Sequence, residues 1–350
     1  MSKSLSLQAH NLYAQLLDAA MHSELARLGL LSADGCVIRK TVRGREYLYY
    51  QYRENGKQKQ SYVGPASDAH DRFLSEWQQE RSSAQKLSAM FIRGGGYQLD
   101  SFASGLLDSF ATHGLFAGGG VLVGTYAFLA YQNMLGVRWS EALMTTDVDI
   151  ARDRHHVDLA ILPGHQIAVQ EIMGTLRPEM KPIFDVMRGT RQIVAYAGTD
   201  GQSRLDLLTP MVGKESVDPV YVPALKSFAE PLRFLDYLIE DAQYAVAINR
   251  HMQPILIMVP NPARFALHKL LISQKRPKGQ EAKSIKDILQ ADQLLGFLIE
   301  RSSRSYDIVE AWEGLHQRGK KWVTPVCAGM ARCSDTVRVW MDAHGISSKA

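Results

Sequence analysis

Cysteine is scarce: Cys36, Cys327 and Cys333 are the only three in 350 residues. So odd and scattered a set excludes a disulfide framework and fits a reducing compartment. Cys327 and Cys333 also lack the short paired spacing of a zinc site. Long apolar runs are missing too, and no stretch approaches the roughly 20 residues of a membrane-spanning helix. The opening MSKSLSLQAHNLYAQLLDAA carries one lysine and then an amphipathic pattern, without the apolar core of a signal peptide. A cytoplasmic protein with no membrane partner is therefore expected. Neither charge sign dominates. The net charge of +4 is compatible with a polyanionic partner but too small to prove one. What remains is ordinary globular material, 46% hydrophobic and 22% charged, long enough for two domains or one core with appendages.

Residues 6–30 place Leu12, Leu16, Ala20 and Leu25 near one helical stripe, and Ser32-Ala33-Asp34-Gly35 stops it. REYLYYQYRENGKQKQSYVGP then reads as two alternating, tyrosine-rich strands about an Asn55-Gly56 turn. A polar helical segment leads to Gly94-Gly95-Gly96, where a first boundary is expected. Residues 1–95 form an N-terminal helix-plus-hairpin extension, 96–260 an α/β core and 261–350 a helical region. Within the core, SFASGLLDSFATHG predicts a helix and LFAGGGVLVGT a buried strand. TYAFLAYQNMLG predicts a helix with Thr125 as its N-cap. TTDVDIA is the next strand, a helix is expected near Ile167–Met173, and RQIVAYAGTDGQSRLDLLTP makes a second hairpin. QYAVAI and QPILIMV are two further strands.

TTDVDIA places two carboxylates one residue apart on an apolar strand. Alternation sends Asp147 and Asp149 to one face and Val148 and Ile150 to the other. Like charges that close favour protonation unless a cation lies between them. Asp206, in LDLL, faces opposite to Leu205 and Leu207. If its strand lies beside TTDVDIA, three carboxylates converge, a donor set suited to two Mg²⁺ ions with Mn²⁺ as substitute. Gly124 and Thr125, at a strand–helix junction, supply close backbone approach and a helix N-terminus for phosphate oxygens. Gly118-Gly119-Gly120 lacks the Gly-Lys-Ser/Thr ending of a P-loop and reads as a strand entry.

The sequence Val123-Gly124-Thr125, a helix, Asp147-Val148-Asp149 and a later Asp206 resembles the DNA polymerase β-like nucleotidyltransferase superfamily. GGGVLVGTYAFLAYQNMLGVRW and PNPARFALHKLLISQKR with AKSIKDILQA are similar to prokaryotic members related to abortive-infection, toxin-type nucleotidyltransferases. The resemblance covers roughly residues 95–300. It implies an α/β (α+β) fold with a mixed sheet flanked by helices, and Mg-dependent transfer of a nucleoside monophosphate from an NTP to a hydroxyl. It also implies metal ligation by Asp147, Asp149 and Asp206, with Asp206 as third ligand or base. Two departures stand out: Thr125 replaces the usual Gly or Ser, and the Gly124-to-Asp147 spacing is long, so that GVRWSEALM is expected to loop out.

Arg138, Arg152 and Arg154 lie near the motif in sequence, and Arg138 is a candidate triphosphate contact. Lys283 and Lys286 share a helical face and, by the resemblance, turn toward the nucleotide. Asp287 follows them, and His268-Lys269 sits one turn after Arg264. His155 and His156 point apart on a strand, which disfavours a shared metal. In the N-terminal hairpin, Arg39, Lys40, Arg43, Arg45, Arg53, Lys57 and Lys59 outnumber Glu46 and Glu54 and alternate with tyrosines. That composition suits single-stranded RNA or DNA as well as tyrosines packed on helices. The acceptor is an RNA 3′ end, tRNA included, or a protein hydroxyl. Other readings are a non-catalytic nucleotide- or RNA-binding module of a defence or toxin–antitoxin pair, with an antitoxin or neighbouring defence protein as partner, and a metal-dependent nuclease.

Overall fold

A computed structural model describes residues 3–27, 36–54, 57–140, 147–153, 167–187, 190–214 and 218–346. The chain opens with β1 (Lys3–Ser4), α1 (Leu7–Arg27), β2 (Cys36–Val42), β3 (Arg45–Glu54), β4 (Lys57–Pro65) and α2 (Asp68–Arg93). It continues through α3 (Ser101–Thr112), β5 (Val121–Val123), α4 (Gly124–Leu135), β6 (Val137–Arg138) and β7 (Asp147–Ala151). Next come α5 (Val169–Thr175), β8 (Met180–Met187), β9 (Thr190–Gly198), β10 (Arg204–Pro210), β11 (Val220–Val222) and β12 (Ser227–Leu232). After α6 (Leu235–Ile239), β13 (Gln243–Ile248) and β14 (Pro254–Val259) the chain is helical: α7 (Pro262–Ser273), α8 (Glu281–Glu300), α9 (Ser302–His316), α10 (Lys320–Met330) and α11 (Asp335–Ala343).

The architecture is mixed α/β of the α+β kind with a helical C-terminal region. Its central sheet has seven strands among the described residues, in the order β11-β12-β10-β7-β5, with β9 on β10 and β8 on β9. β7 and β12 run parallel to β10, while β5, β9 and β8 pair antiparallel with their neighbours. Val148, Ile150, Leu205 and Leu207 turn their side chains into the core. They join one apolar cluster with residues of α4, α7 and α8. Phe128 of α4 stacks on Trp139 at 4.9 Å, and Tyr131 meets Phe265 of α7 edge-on at 5.3 Å. The helical region thus shares its core with the sheet. A second cluster packs α1 and Phe91 of α2 on the β13–β14 hairpin. Here the Val246 amide donates to the Tyr13 hydroxyl at 3.0 Å.

Several elements differ from the sequence expectations. The tyrosine-rich hairpin is part of a three-stranded sheet, because β2 pairs with β3 throughout. Its turn is Arg43-Gly44, both with positive φ (52° and 77°), the backbone that a two-residue hairpin turn demands. Arg-Gly is a weaker signal for that turn than Asn-Gly, so β2 is hard to read from the sequence. The Asn55-Gly56 turn itself lies outside the described residues, although β3 and β4 pair up to Glu54 and Lys57. Thr125 is not the N-cap of α4: the cap is Val123, without a side-chain hydrogen bond, and the helix already begins at Gly124. The α7 start follows rule instead. Asn261 accepts from the amides of Ala263 (2.9 Å) and Arg264 (3.3 Å), and Pro262 occupies the first turn.

Candidate active site

Strand alternation and register build the site. Asp147 and Asp149 leave β7 on the face opposite Val148 and Ile150. On β10, Asp206 stands directly across from Asp149, and Arg204 across from Asp147. On the other side, Val123, the last residue of β5, pairs with Asp149. One level of the sheet therefore reads Val123, Asp149, Asp206, and the chain turns into α4 at the next residue.

That residue has to be glycine on two counts. Gly124 has φ +65°, and a Cβ there would sit 2.0 Å from Asp149 Oδ2. The backbone at the helix start thus lies against the carboxylate. No side chain caps α4, and its start adjoins the Asp149 carboxylate through Gly124. Thr125 is buried beside them. Asp100 caps α3 through Ala103 N (3.0 Å), and its other oxygen accepts the Tyr126 hydroxyl of α4. This bond fixes one edge of the site, and burial followed by the Asp100 bond holds the Tyr126 phenol well above its usual range.

The carboxylates repel one another as expected. Burial, then Asp206, with Asp147 adding less, push the Asp149 carboxyl up to about 7, while Lys269 and Arg276 oppose the rise. Arg204 grips Asp206 through Nε and Nη2 at 2.9 Å. Glu230 of β12 is a fourth carboxyl in this field, raised by burial and then by Asp206.

A cationic group lies within electrostatic reach of these carboxylates and is held by one buried acid. Asp287 of α8 is 2% exposed and accepts from Lys269 Nζ at 2.7 Å and Arg276 Nε at 2.9 Å. Lys286, the preceding residue, is half-buried. Burial and then Lys269 lower its amine, while Asp287, Asp147 and Asp149 pull the other way. Lys286 therefore interacts through space with both Asp147 and Asp149, and Lys269 with Asp149.

The structure brings Asp147, Asp149, Asp206, Gly124, Thr125 and Lys286 together. Lys283 is exposed one turn from Lys286. Arg138 lies on β6, paired with β1, and donates to the Gly95 carbonyl at 2.9 Å. Arg264 turns to Glu240 at 2.6 Å. His268 is buried, its imidazole pushed down to about 3 by burial, so it is neutral. Arg152 is buried, and Arg154, His155 and His156 lie outside the described residues. Arg276, Arg204 and Glu230 are site residues that the sequence expectations do not include, and nothing in their local pattern marks them. Asp287 has a usable signal, since it shares a helix face with the core residues Ile288, Ala291, Leu294 and Leu295, and an acid there needs a buried partner.

Among the described residues, no three His, Cys, Asp or Glu side chains close into a metal cage. An open set still suits Mg²⁺, which keeps waters and takes one or two carboxylates plus substrate phosphates. Hard oxygen donors whose charges push the Asp149 carboxyl up fit a divalent cation, and the cradle that a Cβ at Gly124 would fill fits a phosphate.

No curated protein and no solved structure matches the chain. A family model of a domain of unknown function, DUF6788, matches residues 13–72. No described helix is long and apolar enough to cross a membrane. A nucleotidyltransferase family model matches residues 102–315, more than half of the chain and the whole of the carboxylate and cationic groups, so the chain belongs to the nucleotidyltransferase family.

Proposed function

We propose that the chain moves a nucleoside monophosphate from an NTP to a hydroxyl acceptor, in the manner of the DNA polymerase β-like superfamily and its abortive-infection, toxin-type members. The observation that carries this reading is the register that sets Asp206 opposite Asp149 with the Gly124 backbone against the carboxylate. Asp147, Asp149 and Asp206 would hold Mg²⁺, or Mn²⁺ in its place. When bound, the ion supplies charge neutralisation and acidifies the acceptor hydroxyl. The Gly124 amide and the α4 N-terminus, with the Thr125 hydroxyl, hold phosphate oxygens. Lys286, Lys269 and Arg276 offset the negative charge of the triphosphate, and buried Asp287 fixes the last two in place. The acceptor oxygen attacks the α-phosphorus, the bond to the bridging oxygen breaks and pyrophosphate leaves. The hydroxyl proton passes to the Asp206 carboxylate. Catalysis is then chiefly positioning and charge stabilisation.

The acceptor is an RNA 3′ end, tRNA included, or a protein side chain. A label-transfer assay tests the reading: wild type and Asp149→Ala each receive the four α-labelled NTPs, Mg²⁺ and a cell extract containing RNA and protein. Label in either acceptor, lost in the variant, is the expected result and identifies base and acceptor class together. Wild type that binds NTP but labels nothing would leave a non-catalytic nucleotide-binding module of a defence or toxin–antitoxin system.

A further inference from the structure

The β2–β3–β4 sheet has two unlike faces. On one, Leu48 is 1% exposed, and Glu46 is ion-paired with Arg39 at 2.8 Å. The register puts Lys40 opposite Tyr47, Tyr49 opposite Tyr62 and Gln51 opposite Gln60 on the other. The side chains agree with it. Tyr62 packs against Tyr49 at 5.6 Å and Tyr47 at 6.1 Å, and Lys40 lies over the Tyr49 ring at 5.1 Å. Lys40 also donates to Gln60, whose amide donates to Gln51 at 2.9 Å. Tyr62 is 55% exposed and Val42, on the same face, 45%. Arg43 and Arg45, both exposed, stand at the end of the strip by the turn. No carboxylate falls on this face among the described residues, because the alternation of β3 sends Glu46 to the other.

We propose that this open face binds single-stranded nucleic acid. The exposed Tyr62, with the half-buried Tyr47 and Tyr49 on the adjacent strand, offers an aromatic surface on which unstacked bases lie. Lys40, Arg43 and Arg45 line the path that a phosphate backbone would follow, and Glu46 is on the far face, already neutralised by Arg39. Gln51 and Gln60 add amide donors and acceptors at the level of the rings, suited to base edges. A polyanion without ring faces would pair with the cations but would leave the tyrosines without stacking partners. A double helix would not expose the base faces that the rings require. The proposal concerns binding alone and stands whether or not the carboxylate site transfers nucleotides.

The test is fluorescence anisotropy of the full chain with a labelled 12-nucleotide oligo(U) and its oligo(dT) counterpart, across a series of KCl concentrations. Binding that weakens with salt is expected. Tyr62→Ala should reduce affinity about 5- to 100-fold, the range for losing one stacked base. Tyr62→Phe should retain most of it, which separates stacking from folding. Replacing Lys40 and Arg45 by Gln should flatten the salt dependence by roughly 0.7 in log–log slope for each phosphate no longer neutralised. Tyr306→Ala, at an exposed tyrosine of α9, should bind as wild type does, so that loss of a tyrosine of this strip is told apart from loss of any surface tyrosine. Tighter RNA than DNA binding would show that the 2′-hydroxyl is read, and equal binding that only bases and phosphates are. Wild type that binds neither strand, or Tyr62→Ala that binds like wild type, overturns the proposal.

Discussion

Asp149→Asn should make the protein more stable while removing its transfer activity. The carboxyl is pushed up to about 7, against 3.8 for an ordinary aspartate, first by burial and then by Asp206. The sign follows from that order. Below about pH 4 the group is protonated in both folded and unfolded chains and costs nothing. As pH rises, the unfolded chain ionises while the folded one holds its proton, so folding loses stability progressively. The full loss is reached above about pH 7. The gap corresponds to about 4 kcal/mol at about 1.36 kcal/mol per pH unit. Because the carboxyl is still partly open to solvent, screening reduces this to about 2–3 kcal/mol. Asparagine is nearly isosteric and carries no charge, so the variant lacks this component. Urea unfolding followed by tryptophan fluorescence, with five tryptophans in the chain, reads the midpoint from about pH 4.5 to about pH 8. The two proteins should differ least at the acid end and diverge toward the alkaline end, the variant being the more resistant. A variant whose midpoint runs parallel to that of wild type at every pH would refute the reasoning, as would one that is weaker at the alkaline end.

Gly124→Ala should abolish label transfer and lower the melting temperature. A left-handed alanine costs about 1–2 kcal/mol, and its Cβ would fall 2.0 Å from Asp149 Oδ2. A stable, active alanine variant would show that the close approach is not required. Asp287→Ala should destabilise the fold by about 3–5 kcal/mol in urea, because it leaves Lys269 and Arg276 without their buried counter-charge. Adding Lys269→Met should recover part of the loss, and a double variant no better than the single one would mean that the buried ammonium is not its source.

The legible part of the site is the part written in strand periodicity. Asp147, Val148, Asp149 and Ile150 assign their own faces, and Leu205 and Leu207 fix that of Asp206, so two short stretches specify where the carboxylates point. Gly124 is legible because a glycine between a buried strand and a helix has few other uses. The cap of α4 departs from expectation: Thr125 is a good capping type, but the cap falls two residues sooner, on Val123. β12 is hidden because Pro231 breaks its pattern, and Glu230 is hidden with it. The cationic group is half-legible. Lys286 follows from helical spacing, but Arg276 sits in the α7–α8 connection and meets Asp287 only through tertiary packing, which no local window contains. The two-residue turn that adds β2 to the N-terminal sheet is hidden for a related reason. Arg43 adopts a backbone that its residue type rarely takes, and only the pairing of the flanking strands reveals it.

The opposition of the two charged groups bears on what can occupy the site. A divalent cation alone would relieve the carboxylates but would meet the field of Lys269, Arg276 and Lys286. A triphosphate alone would satisfy those cations but would lie beside Asp147, Asp149 and Asp206. Neither satisfies both sides, and the charge of Asp287 is already committed to holding Lys269 and Arg276, so it cannot balance the rest. On the proposed reading, metal and nucleotide are therefore mutually reinforcing ligands, each removing the repulsion that the other would face. The raised Asp149 carboxyl is the trace of that imbalance. A group held near pH 7 by its neighbours is stabilised by whatever brings positive charge to the carboxylates, and the α4 N-terminus and Lys286 favour charge that arrives with phosphates attached.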